Sequence, residues 1–171
     1  MPRPFAGLLG LRVEETDAQR PDVVNPVRFG AVEHDARHVF EVVVPEPSTE
    51  VLGTYGADFY AGTPAVTRAA RGGGSAWYVA TLLDDPGVAA VVRAVLDEHG
   101  LAGPLADVPD VEVAERVTEE GVRHLFLLNH SGSRVVVPCP ADGVDLLGGA
   151  ARAAGDEVVL DPAAVVLLRC Q

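Results

Sequence analysis

The sequence contains no lysine and no isoleucine, and its 13 basic side chains are all arginine. Against them stand 25 acidic residues, which gives a net charge of −12 and a pI of about 4.7. Nucleic-acid binding needs a surface of positive charge that neutralises phosphates. We therefore expect no nucleic acid among the partners of this chain.

Long apolar runs are also missing, since no stretch of about 18 consecutive apolar residues occurs. We therefore expect no membrane span. The first fifteen residues, MPRPFAGLLGLRVEE, lack the apolar core and the small-residue cleavage site of a signal peptide. Together these observations favour a cytoplasmic protein.

Cysteines are few, with only Cys139 and Cys170 in 171 residues. Two cysteines do not make a disulfide framework in a chain of this size. Each lies in or beside an apolar strand pattern, where a free thiol behaves as a small hydrophobic side chain. We expect two buried thiols, and a disulfide between neighbouring strands is the alternative.

The clearest strand pattern lies between Pro64 and Asp85. Two apolar segments, Ala65–Ala69 and Ala76–Leu83, flank the glycine-rich stretch 71–75. Residues such as Val, Thr, Trp and Tyr suit a pleated surface, and glycine allows the chain to reverse where φ is positive. The pattern predicts a β-hairpin.

Other strands are predicted before this hairpin, at His38–Val44 and Glu50–Tyr55. A weaker pattern, Val23–Phe29, contains Pro26, which has no backbone N–H to donate. Because proline within sheets is confined to places that need no donor, we predict that this segment is an edge strand.

A helix is predicted after the hairpin. Asp84 or Asp85 can cap its first turn, Pro86 suits its first position and Gly100 ends it. Its apolar residues recur at helical spacing and form one face, which we expect to pack on a sheet. They are Val88, Val91, Val92, Val95 and Leu96.

The stretch Leu101–Pro109, which holds Gly103, Pro104 and Pro109, separates two regions of different pattern. Short strands with turn signals follow it, and no helical pattern lies between them, which is typical of a small antiparallel sandwich. These strands are predicted at Val111–Thr118, Val122–Asn129, Ser133–Pro138, Glu157–Leu160 and Ala164–Arg169.

Catalytic and ligand-binding signals are weak. None of the five histidines (His34, His38, His99, His124 and His130) has the spacing of a zinc site. Ser131 is next to His130, but adjacency in sequence does not build a catalytic triad, and a hairpin turn is the better interpretation. The glycines 72–74 lie between two strands, whereas a phosphate-binding loop opens a helix.

Acidic residues occur in adjacent pairs, and sugar hydrolysis uses two carboxylates that face each other about 5–10 Å apart. Adjacent residues on a strand point to opposite faces, so we interpret these pairs as caps, turns and solvated edges. They are Glu14-Glu15, Asp84-Asp85, Asp97-Glu98 and Glu119-Glu120. We assign no catalytic, cofactor-binding or metal-binding residue.

The segment order resembles the C-terminal end of the glycoside hydrolase family 42 β-galactosidases. LGLRVEETDA (Leu9–Ala18) and the segment Glu50–Asp85 are similar to that family's middle domain. HLFLLNHSGSRVVVPCP (His124–Pro140) is similar to its small C-terminal β-domain. The closing segments Leu146–Gly149, Leu160–Pro162 and Val165–Arg169 match the same domain.

The resemblance implies three parts: a catalytic (β/α)₈ barrel, a flavodoxin-like, amidotransferase-like α/β domain that helps to form a trimer, and a small β-domain. A barrel needs about 200–250 residues, which this chain has no room for. The expected fold is therefore mixed α+β. A partial α/β oligomerisation domain would occupy residues 1–105, and an antiparallel β-sandwich would occupy residues 106–171.

Three functional hypotheses follow. The first is a non-catalytic C-terminal portion of such a β-galactosidase, which forms a homo-oligomer through residues 1–105 and has a partner that carries the barrel. Its apolar surface would come from the run Val39–Val44 beside the predicted helix. The second is residual β-galactoside hydrolysis. The third is an independent module that binds a small ligand or a sugar. Phe126, the only aromatic residue after Ala106, is expected in the core or half-core, which argues against a sugar-stacking face.

Overall fold

The computed structural model describes residues 5–170. They divide into two compact units: unit 1 extends to Gly100 and unit 2 begins at Leu101. The start of the segment on which the signal-peptide expectation rests, residues 1–4, lies outside the described residues. In the part of the chain that the structure describes, no helix is long and apolar enough to cross a membrane.

Unit 1 is built mainly of strands, which all pair antiparallel. A 3₁₀ turn, Asp58–Tyr60, lies between β4 and β5. The elements in chain order are α1 (Ala6–Leu9), β1 (Leu11–Ala18), β2 (Val24–Phe29), β3 (Val32–Pro45), β4 (Thr49–Tyr55), β5 (Pro64–Arg71), β6 (Gly74–Val79), β7 (Thr81–Leu83) and α2 (Asp85–Glu98).

The strand pairings of unit 1 run in a closed circuit. β3 pairs with β2, β2 with β4, β4 with β5, and β5 with β6. The chain continues from β6 through Ala80 into β7, which pairs back onto β3. β1 pairs with the second half of β3, from Leu11 opposite Pro45 to Ala18 opposite Val39. A sheet closed in this way has few free edges and surrounds its own core.

The predicted flavodoxin-like, amidotransferase-like α/β region over residues 1–105 is wrong. Parallel strands need a crossover of a dozen or more residues, usually a helix, between them. Here short turns at residues 30–31 and 72–73 connect successive antiparallel strands, and α2 follows the last strand of the unit. Unit 1 is therefore an antiparallel β structure with one long helix.

The predicted hairpin is confirmed. β5 and β6 pair from Val66 opposite Val79 to Arg71 opposite Gly74, and Gly72 takes the positive φ (57°) that the turn requires. The second arm continues beyond the hairpin. After Ala80 the chain leaves β5 and pairs with β3 as β7.

The prediction that residues 23–29 form an edge strand is wrong, since β2 lies between β3 and β4. The ladder with β4 begins only at Val27, so Pro26 needs no backbone donor in that ladder. Its carbonyl accepts one from the Gly56 N–H at 2.7 Å. An interior strand thus accommodates a proline just before its second ladder starts.

The core of unit 1 is centred on three aromatic rings. Phe40, Tyr55 and Tyr60 are each at most 1% exposed, and their ring centroids lie 5.4–5.9 Å apart. Val27, Val66 and Val91 belong to the same cluster, together with two buried alanines, Ala36 and Ala65. A second, smaller cluster joins β1, β3 and the end of β6, and contains Leu11, Val13, Val43 and Ala80.

Unit 2 consists of two antiparallel sheets that share one core. The five-stranded sheet has the order β12-β11-β14-β9-β8, and β10 pairs with β13 in the second sheet. The predicted strands of this region are all present, whereas β11 and β12 had no clear sequence signal. The strands are β8 (Val111–Val117), β9 (Arg123–Asn129), β10 (Val135–Pro138), β11 (Gly143–Asp145), β12 (Ala151–Arg152), β13 (Glu157–Leu160) and β14 (Val165–Cys170).

The shared core of unit 2 takes side chains from both sheets. Leu127 and Leu168 come from the larger sheet and Val137 and Leu160 from the smaller one, and all are buried. Both cysteines are free thiols; Cys139 is buried in this core and Cys170 is half-buried. The expectation of a buried thiol is confirmed for Cys139.

A buried asparagine organises one end of this core. The Asn129 side-chain nitrogen lies 2.8–3.0 Å from the carbonyl oxygens of Ser133, Leu160 and Asp161. Its side-chain oxygen accepts from the Ser131 backbone N–H and hydroxyl, at 2.9 and 2.7 Å. One side chain thus ties the turn after β9 to the end of β13.

We predict that Asn129→Ala lowers the stability of unit 2 by about 2–4 kcal/mol, because buried carbonyls lose their donor. The measurement is hydrogen exchange of the β9, β13 and β14 amides, together with urea denaturation. Val136→Ala, at an exposed position of the same unit, is the matched control. Equal stability of the two variants would contradict the role of Asn129.

Candidate interaction surface

The histidines considered in the sequence do not converge. His34 and His38 lie on β3, but His34 is buried and His38 is exposed at a position with φ of 68°. His124 is half-buried on β9, and His130 pairs with Glu112 at 2.9 Å. Among residues 5–170, no group of three or more His, Cys, Asp or Glu side chains is placed to hold a metal ion.

Ser131 and the glycines 72–74 have structural positions. The Ser131 hydroxyl donates to Asn129 within the turn after β9. Gly72 and Gly73 form the hairpin turn between β5 and β6. Both positions agree with the turn interpretations made from the sequence.

Several of the paired acidic residues have local structural partners. Glu14 pairs with Arg12, and Asp97 pairs with Arg93 one helical turn away. Glu14 and Glu15 also lie at a bulge of β1, where the register with β3 shifts, and this hides the alternation that would have predicted the strand. Asp84 and Glu98 are different, because they hold the two ends of α2.

The N-terminus of α2 is held by Asp84. Its side chain caps the helix by accepting from the Gly87 N–H at 2.9 Å, as expected from the sequence. Its backbone N–H donates to the Asp35 carbonyl on β3, and its carboxylate lies 3.7 Å from His34 Nδ1. A side chain at Gly87 would contact His34 and Leu83 at 3.0 Å, so the first turn lies close against the sheet.

The C-terminal end of α2 is held by Glu98. Arg68 on β5 donates to its carboxylate through Nε at 2.9 Å and through a second guanidinium nitrogen. The Trp77 indole and the Ser75 hydroxyl donate to the other carboxylate oxygen, at 3.0 and 3.1 Å. The Ser75 hydroxyl also lies 3.0 Å from His99 Nε2. Hydrogen bonds from Arg68, and then from Trp77 and Ser75, lower the pKa of Glu98 to about 2.

Between these two ends, the apolar face of α2 is only partly covered. Val91 is buried against the unit 1 core, whereas Val88 and Val92, one turn apart, are each 50% exposed. Beside them on β7, Leu82 is 56% exposed. The expectation that this helix face packs on a sheet is therefore confirmed for Val91, while Val88 and Val92 stay partly in solvent.

These side chains line a shallow apolar groove of about 250 Å³, which we call the α2–β7 groove. A second depression of about 240 Å³ shares part of its wall and adds Val39, Glu41 and Ala80. The residues that line the α2–β7 groove are Val79, Thr81, Leu82, Leu83, Val88, Val91 and Val92.

A partly buried hydrogen-bond network lies at the second depression. The Tyr78 hydroxyl donates to Glu41, and the Thr16 hydroxyl donates to the same carboxylate at 3.0 Å. The Tyr55 hydroxyl donates to the Ala80 carbonyl at 2.7 Å. Burial raises the pKa of Tyr55 to about 12, and burial followed by the hydrogen bond to Glu41 raises that of Tyr78. These hydrogen bonds thus hold β6 and the start of β7 in place.

The exposed apolar surface differs from the one expected. In the run Val39–Val44, Phe40 and Val43 are buried and the remaining valines are half-buried, so this run is not an open sheet face. Leu82 was missed because β7 is only three residues long. The sequence did offer one signal of this surface. The apolar face of α2 has five positions, which is more than the helix buries against unit 1.

Phe126 was expected in the core or half-core. It is half-buried, but it alternates with Leu125 and Leu127, which point into the unit 2 core. Phe126 instead borders a shallow depression of about 260 Å³, lined with Glu112, Ala114, Arg116 and Leu128.

Known families account for both units. Residues 1–102 match the model of the β-galactosidase trimerisation domain, and residues 110–169 match that of the β-galactosidase C-terminal domain. This chain belongs to the glycoside hydrolase family 42 β-galactosidases. The resemblance inferred from the sequence is confirmed.

Curated relatives agree with this assignment. The chain is 34% identical to the β-galactosidase LacA of Lactobacillus acidophilus over 149 residues, which is 86% of this chain and 22% of LacA. It is 32% identical over 143 residues to the β-galactosidase BgaB of Geobacillus kaustophilus, covering 84% and 21%. The chain thus spans about a fifth of the length of these relatives and corresponds to their C-terminal part.

Solved structures of similar fold agree with the assignment. A β-galactosidase from Bacillus circulans sp. alkalophilus matches with a TM-score of 0.83 and 29% identity, over 98% of this chain and 25% of that one. A β-galactosidase from Rahnella sp. R3 matches with a TM-score of 0.82 and 28% identity, over 96% and 24%.

We predict that the contribution of Glu98 to stability depends on pH. Its folded pKa, about 2, lies below its ordinary value of 4.5, so the contribution is present above about pH 4.5 and is lost as the pH falls towards 2. Glu98→Gln should therefore lower stability at pH 6 and lose less on acidification than the wild type. Urea unfolding followed by Trp77 fluorescence measures this, and Glu46→Gln, at an exposed acid of unit 1, is the control.

Proposed function

We propose that this chain is a structural, self-associating portion of a family 42 β-galactosidase, and that unit 1 forms the contact between copies. The observation that carries the proposal is the α2–β7 groove, an exposed apolar surface on the unit that matches a trimerisation domain. Large exposed apolar patches commonly mark interfaces.

The energetic argument concerns three side chains. Leu82, Val88 and Val92 are each at least half exposed, and completing their burial is worth roughly 1 kcal/mol each. A stable interface also needs about 800 Å² from each partner, so the groove is the apolar centre of a wider contact.

Charge supports a contact centred on the groove. The chain has a net charge of −12, so two copies repel each other through most of their surfaces. The α2–β7 groove is lined entirely by uncharged residues, and a contact made there avoids close pairs of like charges. Salt should strengthen association, because it screens the repulsion between the copies.

We predict that the wild-type chain self-associates at micromolar concentrations and that Val92→Glu shifts it to monomer. A charge at the groove centre would be buried without a partner, which is strongly unfavourable. Light scattering coupled to gel filtration measures the mass. Val32→Glu is the matched control, since Val32 is 56% exposed on the same unit. A monomeric wild type at high concentration would contradict the proposal.

We further propose that hydrolysis in such a protein belongs to a barrel outside this sequence, which acts as the partner of these two units. Asp84 and Glu98 are committed to holding α2, and Glu14 and Asp97 have arginine partners. No position of this sequence matches the pair of catalytic glutamates, one acid/base and one nucleophile, that the resemblance to the family implies.

We predict that the purified chain does not hydrolyse a chromogenic β-galactoside above the buffer rate. The rate should be measured across the gel-filtration peak, with a barrel-containing β-galactosidase as the positive control. Turnover that follows the peak of this chain would favour the alternative of residual catalysis.

A further inference from the structure

A closed trimer of identical chains cannot use one surface patch against itself. Rotation by a third of a turn brings two different patches of each copy together, whereas a patch that meets its own copy produces a dimer. If unit 1 forms such a ring, the α2–β7 groove needs a second, complementary feature elsewhere on the same unit.

Phe59 has the properties of that feature. It lies in the turn Asp58–Tyr60 between β4 and β5, and 62% of it is exposed. Its ring stacks on Tyr60, with centroids 3.9 Å apart and planes tilted by 32°. Tyr60 is itself 1% exposed and its hydroxyl donates to Asp17. We call this turn with its aromatic side chain the Phe59 knob.

The backbone of the knob is held by its own hydrogen bonds. Asp58 has a φ of 59°, which is uncommon for a residue other than glycine. Its carboxylate accepts from the Phe59 N–H at 2.7 Å, and its carbonyl accepts from the Ala61 N–H at 3.1 Å. The Thr63 hydroxyl donates to the Tyr60 carbonyl at 2.7 Å. A side chain presented in this way loses little conformational entropy on binding.

The knob and the groove are complementary in shape and in charge. A groove of about 250 Å³ lined by Leu, Val and Thr side chains accepts one aromatic ring. Asp58 places a carboxylate beside the ring. Arg37 lies directly opposite Leu82 in the β3–β7 pairing, so their side chains share one face, and the Arg37 side chain is 42% exposed. The Arg37 guanidinium pairs with Asp35 at 3.0 Å, and its exposed part lies on the face of Leu82, where it can also approach the acid of the knob.

We infer that the Phe59 knob of one copy inserts into the α2–β7 groove of a second copy of this chain, head to tail, with Asp58 near Arg37. The inference rests on the proposed self-association of unit 1. Each copy then donates one knob and receives another, and three such contacts close a ring.

The test is complementation between two variants. Phe59→Ser removes the knob and Val92→Glu blocks the groove, so each variant alone should be monomeric, with association weakened at least about tenfold. An equimolar mixture retains one intact knob and one intact groove per pair. It should therefore form heterodimers but no trimers in sedimentation velocity. Circular dichroism checks that each variant is folded.

A cross-linking experiment supplies the second measurement. In the double variant Asp58→Cys with Arg37→Cys, which keeps the Phe59 ring and the groove lining, oxidation by copper-phenanthroline should link copies into a ladder that ends at the trimer. A mixture of the two single variants should stop at the dimer. The wild type, which keeps Cys139 and Cys170, gives the background.

The outcomes separate this inference from the proposal beneath it. A monomeric wild type overturns the proposed self-association. A wild type that associates while Phe59→Ser associates equally well overturns only the role of the knob. Association that Val92→Glu abolishes and Phe59→Ser does not points to a groove-to-groove dimer, which also overturns it.

Discussion

The position of α2 depends on two carboxylates, and the exposed surface of unit 1 depends on α2. Asp84 joins the first turn of the helix to β3, and Glu98 joins its last turn to Arg68, Trp77 and Ser75 on the β5–β6 hairpin. A helix of 14 residues is marginal on its own. Held at both ends, it buries Val91 and leaves Val88 and Val92 beside Leu82. The groove is therefore a consequence of polar contacts as well as of apolar pattern.

The parts of the fold that local chemistry determines could be predicted. The hairpin turn needed a residue with positive φ and had Gly72, and the helix start needed a cap and had Asp84. In contrast, the sheet topology depends on pairings between distant segments, such as Ala36 with Leu83, which no local pattern encodes. The flavodoxin-like prediction came from the resemblance to the family's middle domain, and the local pattern could not correct it, because apolar strand segments look alike whether their neighbours run parallel or antiparallel.

The interaction surface was predictable only in part, for a related reason. The valine stripe of α2 was visible in the sequence, but which of its members remain exposed depends on how far the β7 wall reaches. Phe59 gave no signal at all, since a single aromatic residue in a loop is equally consistent with a core anchor. Its neighbour Tyr60 is that anchor, and the stacking of the two rings separates a buried role from an exposed one.

The closed circuit of strands restricts how unit 1 can associate. Open sheets can join edge to edge, whereas here β6 and β7 complete the pairing between β5 and β3. Contacts between copies then come mainly from side chains on the outer surface, and in the whole chain acidic residues outnumber basic ones by 25 to 13. A chain with a net charge of −12 is therefore directed towards its few uncharged surfaces. Since a concave apolar surface and a convex aromatic one are different patches, an interface that joins them favours cyclic association over a two-fold dimer.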